Sequence, residues 1–368
     1  MFDLTVSRQD LLSPLLIVLG AIGKKQSNPL LSHILLTLTQ DHLFLTATDL
    51  EIEISARIVC LSKQPNGSTT VPAKKMVDII RSLDEETNPC LRFDGNILTI
   101  QEGRSLFKLS TLPSTDYPKA QDEKNEVELT LPTASFTRLL QSTHFALSQQ
   151  DVRVFLNCLL LEIEPTGLVA VGTDGHRMAV ARLPMVLTDQ HHRLLIPRKG
   201  IQEMLRLLIP LSDETITLAL GKNHIKLITQ QYTFSSKLIE SRFPLYAKAI
   251  PRDQNKHFYI DRDVLKRALL RISILAHEKS RAIMLHIQPG LITLIANNQE
   301  KEEAIESLEA QTEGEELKIG INSTYLLDVL NFLNEGLIRL SFNNTDSSIS
   351  VTANHDDLYQ YIIMPMKL

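Results

Sequence analysis

The sequence predicts an α+β protein made of three similar domains built on antiparallel sheets. Three observations carry this expectation: a pattern that returns at a spacing of about 125 residues, strand-like runs that outnumber helical ones in each copy, and strand connections as short as a hairpin turn. A chain of 368 residues is long enough for two or three domains, each with a core of its own.

Each copy begins with a helix. Leu15, Leu140 and Leu265 stand in register, followed one face-period later by Ile22, Leu147 and Ile272. Alternating strand-like runs come next, at residues 43–55, 168–181 and 291–304, with Thr48-Asp49, Thr173-Asp174 and Asn298-Gln299 in matching places. A second helix follows. Val71-Pro72-Ala73-Lys74-Lys75-Met76 opens it in the first copy, Ile196-Pro197-Arg198-Lys199-Gly200-Ile201 in the second, and Ile321-Asn322-Ser323-Thr324-Tyr325-Leu326 in the third. Its apolar positions are Met76, Ile79, Ile80 and Leu83, then Ile201, Met204, Leu205 and Leu208, then Leu326, Val329, Leu330 and Leu333, which is helical spacing in all three. Pro72 and Pro197 suit a helix start, and Asn322 can supply a capping oxygen. Further strands end near Phe107, Phe234 and Tyr361, and Phe93-Asp94-Gly95-Asn96-Ile97 is of hairpin length. Charged stretches at residues 121–128 and 251–256 mark the joints, which places the domains at 1–125, 126–253 and 254–368.

Composition narrows the function. There are 38 Lys plus Arg against 43 Asp plus Glu, a net charge of −5, with 43% apolar and 22% charged residues. That is an ordinary soluble balance, neither disordered nor generically basic, so nucleic acid could be bound only where cations gather on one surface. Cys60, Cys90 and Cys158 are odd in number, far apart and without Cys-x-x-Cys spacing, which fits buried core thiols in a reducing compartment. The apolar stretch at residues 11–23 contains Ser13 and Pro14 and has its lysines after it, the reverse of a signal peptide. No run approaches the roughly 18 apolar residues of a membrane span. The expectation is a cytoplasmic protein with no membrane partner.

Cations recur opposite the apolar stripes. Lys74 and Arg81 flank Asp78 on the second helix of the first copy, Lys199 and Arg206 flank Glu203 in the next, and Arg138, Arg267 and Arg271 take polar places on the first-type helices. A solvated face reads the same way, and Asp78, Glu203 and Asp263 dilute the charge. The third copy has Thr324 and Asn331 where a Lys/Arg pair would stand. Acidic residues gather at 300–316, a run that suits a solvated edge and lacks the His or Asp of a metal site.

Thr173-Asp174-Gly175-His176-Arg177-Met178-Ala179, Phe243-Pro244-Leu245-Tyr246 and Met364-Pro365-Met366-Lys367-Leu368 follow one another in the chain. So do Leu109-Ser110-Thr111-Leu112-Pro113, Gln150-Asp151-Val152-Arg153 and Leu326-Leu327-Asp328-Val329-Leu330. In that order, and across all three copies, they resemble the bacterial DNA polymerase III beta subunits, the sliding clamps. The resemblance implies three topologically similar DNA-clamp domains, antiparallel sheets outside and helices lining a ring, the ring formed by a head-to-tail dimer. It implies a non-catalytic processivity factor that encircles double-stranded DNA and slides on it without sequence preference. Its implied partners are a second copy of itself, the DNA polymerase III catalytic subunit, the clamp loader, and other polymerases and repair proteins that bind by short linear motifs. No cofactor and no metal are implied.

By the same resemblance, Lys74, Arg81, Arg138, Lys199, Arg206, Arg267 and Arg271 face the hole, and Lys24, Lys25, Gln150 and Arg198 lie where loops touch DNA. Val154 and Phe155 stand where relatives often carry two tyrosines. The peptide-binding groove comprises Leu156, Thr173, Gly175, His176, Arg177, Met178, Pro244, Lys248, Asn322, Tyr325, Ser348, Ile362, Met364, Pro365, Met366 and Leu368. Methionines suit such a groove because they repack around different apolar anchors. The competing, lesser reading is that Ile362 to Leu368 is simply a last core strand. Lys248 replaces a common Arg, and Ser280 a bulkier residue. At the subunit interface Phe107 and Leu109 meet Ile274 and Leu275, with Lys75 and Arg104 opposite Glu302, Glu303 and Glu306.

Enzymatic readings find little support. Asp174 and His176 suggest a hydrolase, yet no Gly-x-Ser-x-Gly elbow supplies a nucleophile. His191-His192 lacks a carboxylate at ligand spacing and reads as a polar loop. No phosphate-cradling glycine motif is present.

Overall fold

The computed structural model describes residues 2–23, 28–60, 65–118, 125–186, 191–211, 213–334, 336–353 and 356–367. The first repeat contains β1 (Phe2–Thr5), α1 (Arg8–Val18), β2 (His33–Leu38), β3 (His42–Thr48), β4 (Ile52–Val59), β5 (Gly67–Pro72), α2 (Ala73–Ser82), β6 (Cys90–Phe93), β7 (Ile97–Glu102) and β8 (Ser105–Ser110). The second contains β9 (Val127–Pro132), α3 (Thr133–Gln141), β10 (Cys158–Glu164), β11 (Gly167–Thr173), β12 (Arg177–Pro184), β13 (His192–Pro197), α4 (Arg198–Leu208), β14 (Thr215–Leu220), β15 (His224–Ile228) and β16 (Tyr232–Lys237). The third contains β17 (Lys256–Asp261), α5 (Arg262–Ile272), β18 (Ala282–Gln288), β19 (Leu291–Asn297), β20 (Glu303–Glu309), β21 (Gln311–Glu313), β22 (Leu317–Asn322), α6 (Ser323–Phe332), β23 (Leu337–Phe342), β24 (Ile349–Ala353) and β25 (Asp356–Ile363). Strand, helix, four strands, helix, three strands is the order in each, and the third adds the short β21.

Compactness cuts across this order. The chain forms two units, Met1–Ser135 with Lys199–Leu238, and Phe136–Arg198 with Ile239–Leu368, so the middle repeat is divided between them. The reason is strand pairing. In the first unit β4 pairs with β16, Ile54 opposite Phe234, which makes one eight-stranded sheet β5-β2-β3-β4-β16-β15-β14-β9. In the second β12 pairs with β25, Met178 opposite Ile362, within a nine-stranded sheet β13-β10-β11-β12-β25-β24-β23-β17-β21. Each unit also holds a four-stranded sheet, β1-β6-β7-β8 in the first and β20-β19-β18-β22 in the second, which end on β8 and β20 respectively.

In the first unit the helices bury Leu11, Leu15 and Val18 of α1 and Met76, Val77 and Ile80 of α2. In the second, Leu265, Leu269 and Ile272 of α5 join Leu326, Val329 and Leu330 of α6 over Phe258, Leu340, Val351 and Tyr361. Arginines close the helix ends. Arg8 Nε donates to the Ile80 carbonyl of α2 at 3.2 Å, and Arg262 Nε to Leu330 of α6 at 2.6 Å. Arg206 of α4 donates to Leu16 of α1 at 2.7 Å. Neither α1 nor α6 has a cation in its own last turn, so each borrows one to satisfy C-terminal carbonyls and the helix dipole.

Several expectations are corrected. Ile22 and Leu147 lie beyond the α-helices, because Ser142 and Thr143 turn their hydroxyls back onto the Leu139 carbonyl at 2.6 and 3.1 Å and end α3, while α1 tightens to a 3₁₀ turn at Leu19–Ala21. His192 opens β13 instead of lying in a loop. Of the cysteines only Cys158 is buried, and burial pushes its thiol up to about 11. Cys60 and Cys90 are half-exposed, and the Cys90 thiol donates to Asp3 Oδ1 at 2.9 Å.

Gly172 in β11 tests the packing. A Cβ there would sit 2.4 Å from the Thr143 carbonyl oxygen, whereas at Gly20 it would meet the far ends of the Arg206 and Glu203 side chains. Gly172→Ala must move backbone and is expected to cost about 2–3 kcal/mol; Gly20→Ala moves only side chains and costs less. Urea unfolding of the two variants side by side checks the order.

Candidate functional site

The segment Thr173–Arg177 is a tight turn between β11 and β12. Thr173 Oγ1 donates to the Arg177 carbonyl at 2.6 Å, and Asp174 Oδ1 accepts from the backbone N–H groups of His176 and Arg177, both at 2.9 Å. Gly175 takes a φ of +87°, which the turn requires and a side chain resists. Asp174 Oδ2 also binds Arg177 Nε at 3.1 Å. Asp174 is thus spent on the turn, and His176 meets it through its backbone N–H, not its ring, which removes the basis for a hydrolytic pair.

Arg177 is the hub. Its side chain is 11% exposed; Nη1 reaches Asp328 Oδ2 of α6 at 2.5 Å, Nη2 donates to the Phe145 carbonyl at 2.7 Å, and the guanidinium lies 4.5 Å from the Tyr325 ring centre. Burial and the nearby Asp174 charge push the Tyr325 hydroxyl above its usual range. A cavity of about 410 Å³ opens beside these groups, lined by Phe145, His176, Arg177, Arg198 and Tyr325 among others. A second, of about 370 Å³, is lined by Ile283, Met284, Ile295, Met366 and His277. Ser280, which also borders it, leaves this space open.

Between them runs the chain terminus. Met364 N–H donates to the His176 carbonyl at 2.9 Å and Met366 N–H to the Gly320 carbonyl at 2.8 Å. The backbone is pinned at two points while Met364 stays 48% exposed and Pro365 and Met366 are half-buried. Beneath lie Met178, Phe243 and Ile362 in one small apolar cluster, with Phe155 and Tyr246 against it. Pro244 and Lys248 are exposed beside the Tyr246 turn, and Leu156, in the turn at Val154–Asn157, is buried. The arrangement offers apolar pockets, thioethers and two anchored backbone points, which suits capture of a short peptide.

Some expected groove members also hold the local fold. Asn322 caps α6, its Oδ1 accepting from Thr324 N–H at 2.9 Å. Ser348 gives its carbonyl to Gln254 Nε2 at 3.1 Å. Leu368, with Lys24 and Lys25, lies outside the described residues.

The two edges differ in which side chains stand open. Leu109 points into its own sheet and is 6% exposed, whereas Leu106 is 55% exposed, because side chains alternate along β8. Phe107 is half-buried on the Leu109 face. On β20, Ile305 is 58% exposed, and Ile274 stands in solvent with Leu275 partly covered. Lys75, Arg104 and Glu303 are exposed, but Glu306 already pairs with Arg271 Nε at 3.0 Å, and Glu302 accepts from Asn298 Nδ2 at 2.6 Å. The exposed Leu106 and Ile305 were legible in period-2 alternation, given the register.

The expected DNA-facing cations divide. Lys74 and Arg267 are exposed without an ion pair among the described residues; Arg81 lies 3.7 Å from Asp78 in solvent, and Gln150 is exposed. Arg206 is held by Glu203 at 2.6 Å, and Lys199 by Asp49. Arg198 donates to the Leu147 carbonyl at 2.5 Å, and burial, then the neighbouring Arg177 charge, lowers its pKa. Arg138 donates to the Tyr359 hydroxyl at 3.0 Å and lies 5.2 Å from the Phe332 and Tyr359 ring centres. These side chains are half-buried and already hold partners within the chain. Helical spacing shows which side of a helix is polar, not which neighbour already faces it.

Comparison with known proteins adds a separate finding. Family models for the DNA polymerase III beta subunit match at residues 2–121 (N-terminal domain), 130–245 (central domain) and 247–367 (C-terminal domain). The beta sliding clamp of Proteus mirabilis is 40% identical over 363 residues, and that of Escherichia coli K12 39% over 364, each covering 99% of both chains. Among solved structures, the Pseudomonas aeruginosa sliding clamp bound to griselimycin is similar over 100% of both chains, at TM-score 0.96 and 38% identity. The Caulobacter crescentus beta sliding clamp follows at TM-score 0.94 and 33% identity, again over 100% of both chains.

Proposed function

Because this chain belongs to the DNA polymerase III beta-subunit family, the bacterial sliding clamps, we propose that two copies join head to tail through β8 and β20 into a ring around duplex DNA. The protein is a processivity factor and not an enzyme. One observation carries the choice of edges. By position in the repeat β8 corresponds to β16 and β25, and β20 to β4 and β12. β4 pairs with β16, and β12 with β25. β8 and β20 are the remaining members of that series, each at the end of its sheet with one side unpaired. A strand of one copy completing the sheet of the other is the same joint used a third time, and a heterologous contact that closes leaves no free ends. Leu106, Ile305 and Ile274 supply apolar area beside it, with Phe107 and Leu275 partly covered, and the exposed Lys75 and Arg104 of one copy would oppose the exposed Glu303 of the other.

Confinement lets each DNA contact be weak. Lys74, Arg81, Gln150 and Arg267 are the exposed candidates for phosphate, and contacts to phosphate carry no sequence preference. The pinned terminus, with Met364 exposed and Met366 half-buried, tethers linear motifs of the replicative polymerase, the clamp loader and repair proteins. The three domains are taken as 1–125, 126–253 and 254–368; the family matches run close to these, the third beginning earlier, at residue 247. No helix of the described residues is long and apolar enough to cross a membrane, and a bacterial replication factor works in the cytoplasm, where the chromosome is.

Loaded onto nicked circular DNA by a clamp loader, the protein is expected to stay bound and to be released once that DNA is linearised. Gel filtration checks this. Equal retention on linear DNA with free ends would mean ordinary adhesion and overturn the ring.

A further inference from the structure

We propose that the polar hollow on the nine-stranded sheet, on the face turned away from the Phe258–Tyr361 core, receives an aspartate or glutamate from the segment flanking a partner's apolar anchors. This rests on the groove reading above. Along one cross-strand row Met178 lies opposite Ile362, Ile362 opposite Ser350, and Ser350 opposite Ser341, so the apolar groove floor passes directly into hydroxyls. In the next row Arg339 lies opposite Thr352. Arg182 stands on the same face of β12 as Met178, two alternations along.

There a hollow of about 700 Å³ is lined by Arg182, Arg339, Gln254, Gln360, Ser350 and Thr352 among others. Ser350 and Thr352 are 6% and 5% exposed, and their hydroxyls, with Arg339 Nε, are buried with no hydrogen-bond partner among the described residues. Arg182 has no ion pair among those residues. Arg339 reaches only Asp357, at 4.0 Å, whose carboxylate is 95% exposed. Of the two guanidinium groups only that of Arg339 thus meets an acid, loosely, and buried donors beside the space are unused. Buried donors without partners are costly, and a carboxylate is the acceptor that guanidinium forks fit. From Ile362 to Ser341 is two strand spacings, about 10 Å, which about three residues of extended peptide cross. A segment anchored over Met178 and Ile362 therefore brings its flank into the hollow.

The test uses the full-length protein and fluorescence anisotropy with a labelled peptide whose core carries leucine and phenylalanine side chains as apolar anchors. The core is extended at one end or the other by about three residues, acidic in one series and Asn/Gln in a matched series. At one end the acidic extension is expected to bind about tenfold tighter than the neutral one, a gain that salt erodes. Arg182→Gln with Arg339→Gln should abolish the gain and leave the unextended core peptide bound as in the parent, which also reports that the variant is folded. Arg182→Glu alone should invert the preference toward a lysine extension. No gain at either end, or a gain that survives both variants, would overturn the proposal while the groove stands. Failure of the core peptide to bind the parent protein would overturn the groove reading and this proposal with it.

Discussion

With Ile305 or Leu106 replaced by glutamate, the protein is expected to run as a folded monomer in light scattering and to be lost from nicked circular DNA. Each residue is more than half exposed in the single chain, on a strand at the end of its sheet. Covering such a side chain is worth about 1.5–3 kcal/mol, and a charge placed there must also be desolvated, so the dimer should weaken at least about a hundredfold. The control is Leu109→Glu. Leu109 is inside the sheet, so that change should lower the unfolding midpoint instead of splitting a folded dimer. A dimer mass unchanged by both Ile305→Glu and Leu106→Glu would reject these strands as the joint.

Arg177→Ala should abolish binding of an apolar-core peptide and lower stability by about 3–5 kcal/mol, the usual result of deleting one member of a buried ion pair. The guanidinium holds the 173–177 turn to Asp328 of α6 and to the Phe145 carbonyl, and lies over Tyr325. Removing it leaves the half-buried Asp328 charge without this partner and frees the turn whose His176 carbonyl pins Met364. Arg177→Lys should recover little, because one ammonium cannot serve Asp174, Asp328 and Phe145 together. Thermal unfolding and peptide anisotropy measured on both variants check this. Full peptide affinity in Arg177→Ala would show that the turn does not need its cross-link.

The difference between Arg177 and Lys74 shows how far residue order reaches. Both are cations in recognisable motifs, yet one is an interior strut and the other stands in solvent. Arg138 and Arg206 look alike on a helical wheel to Lys74 and Arg267, but an aromatic pair and the end of α1 claim them. Leu106 and Leu109 are both leucines of one short strand. Only the pairing of β8 with β7 decides which of them is covered. The polar hollow leaves no mark in residue order because its residues come from β12, β23, β24, β25 and the stretch before β17.

Repetition, helical spacing, turn residues and the Asn322 cap act through neighbours a few residues apart, so threefold duplication and the element order within it follow from the chain alone. Which strand of one repeat joins which of the next, and so where compact units begin and end, depends on contacts more than a hundred residues apart. The same is true of which cations are spent indoors and which edges stay unpaired. Such contacts leave no periodic mark in a single sequence, because any strand with one apolar face satisfies the local rules equally well.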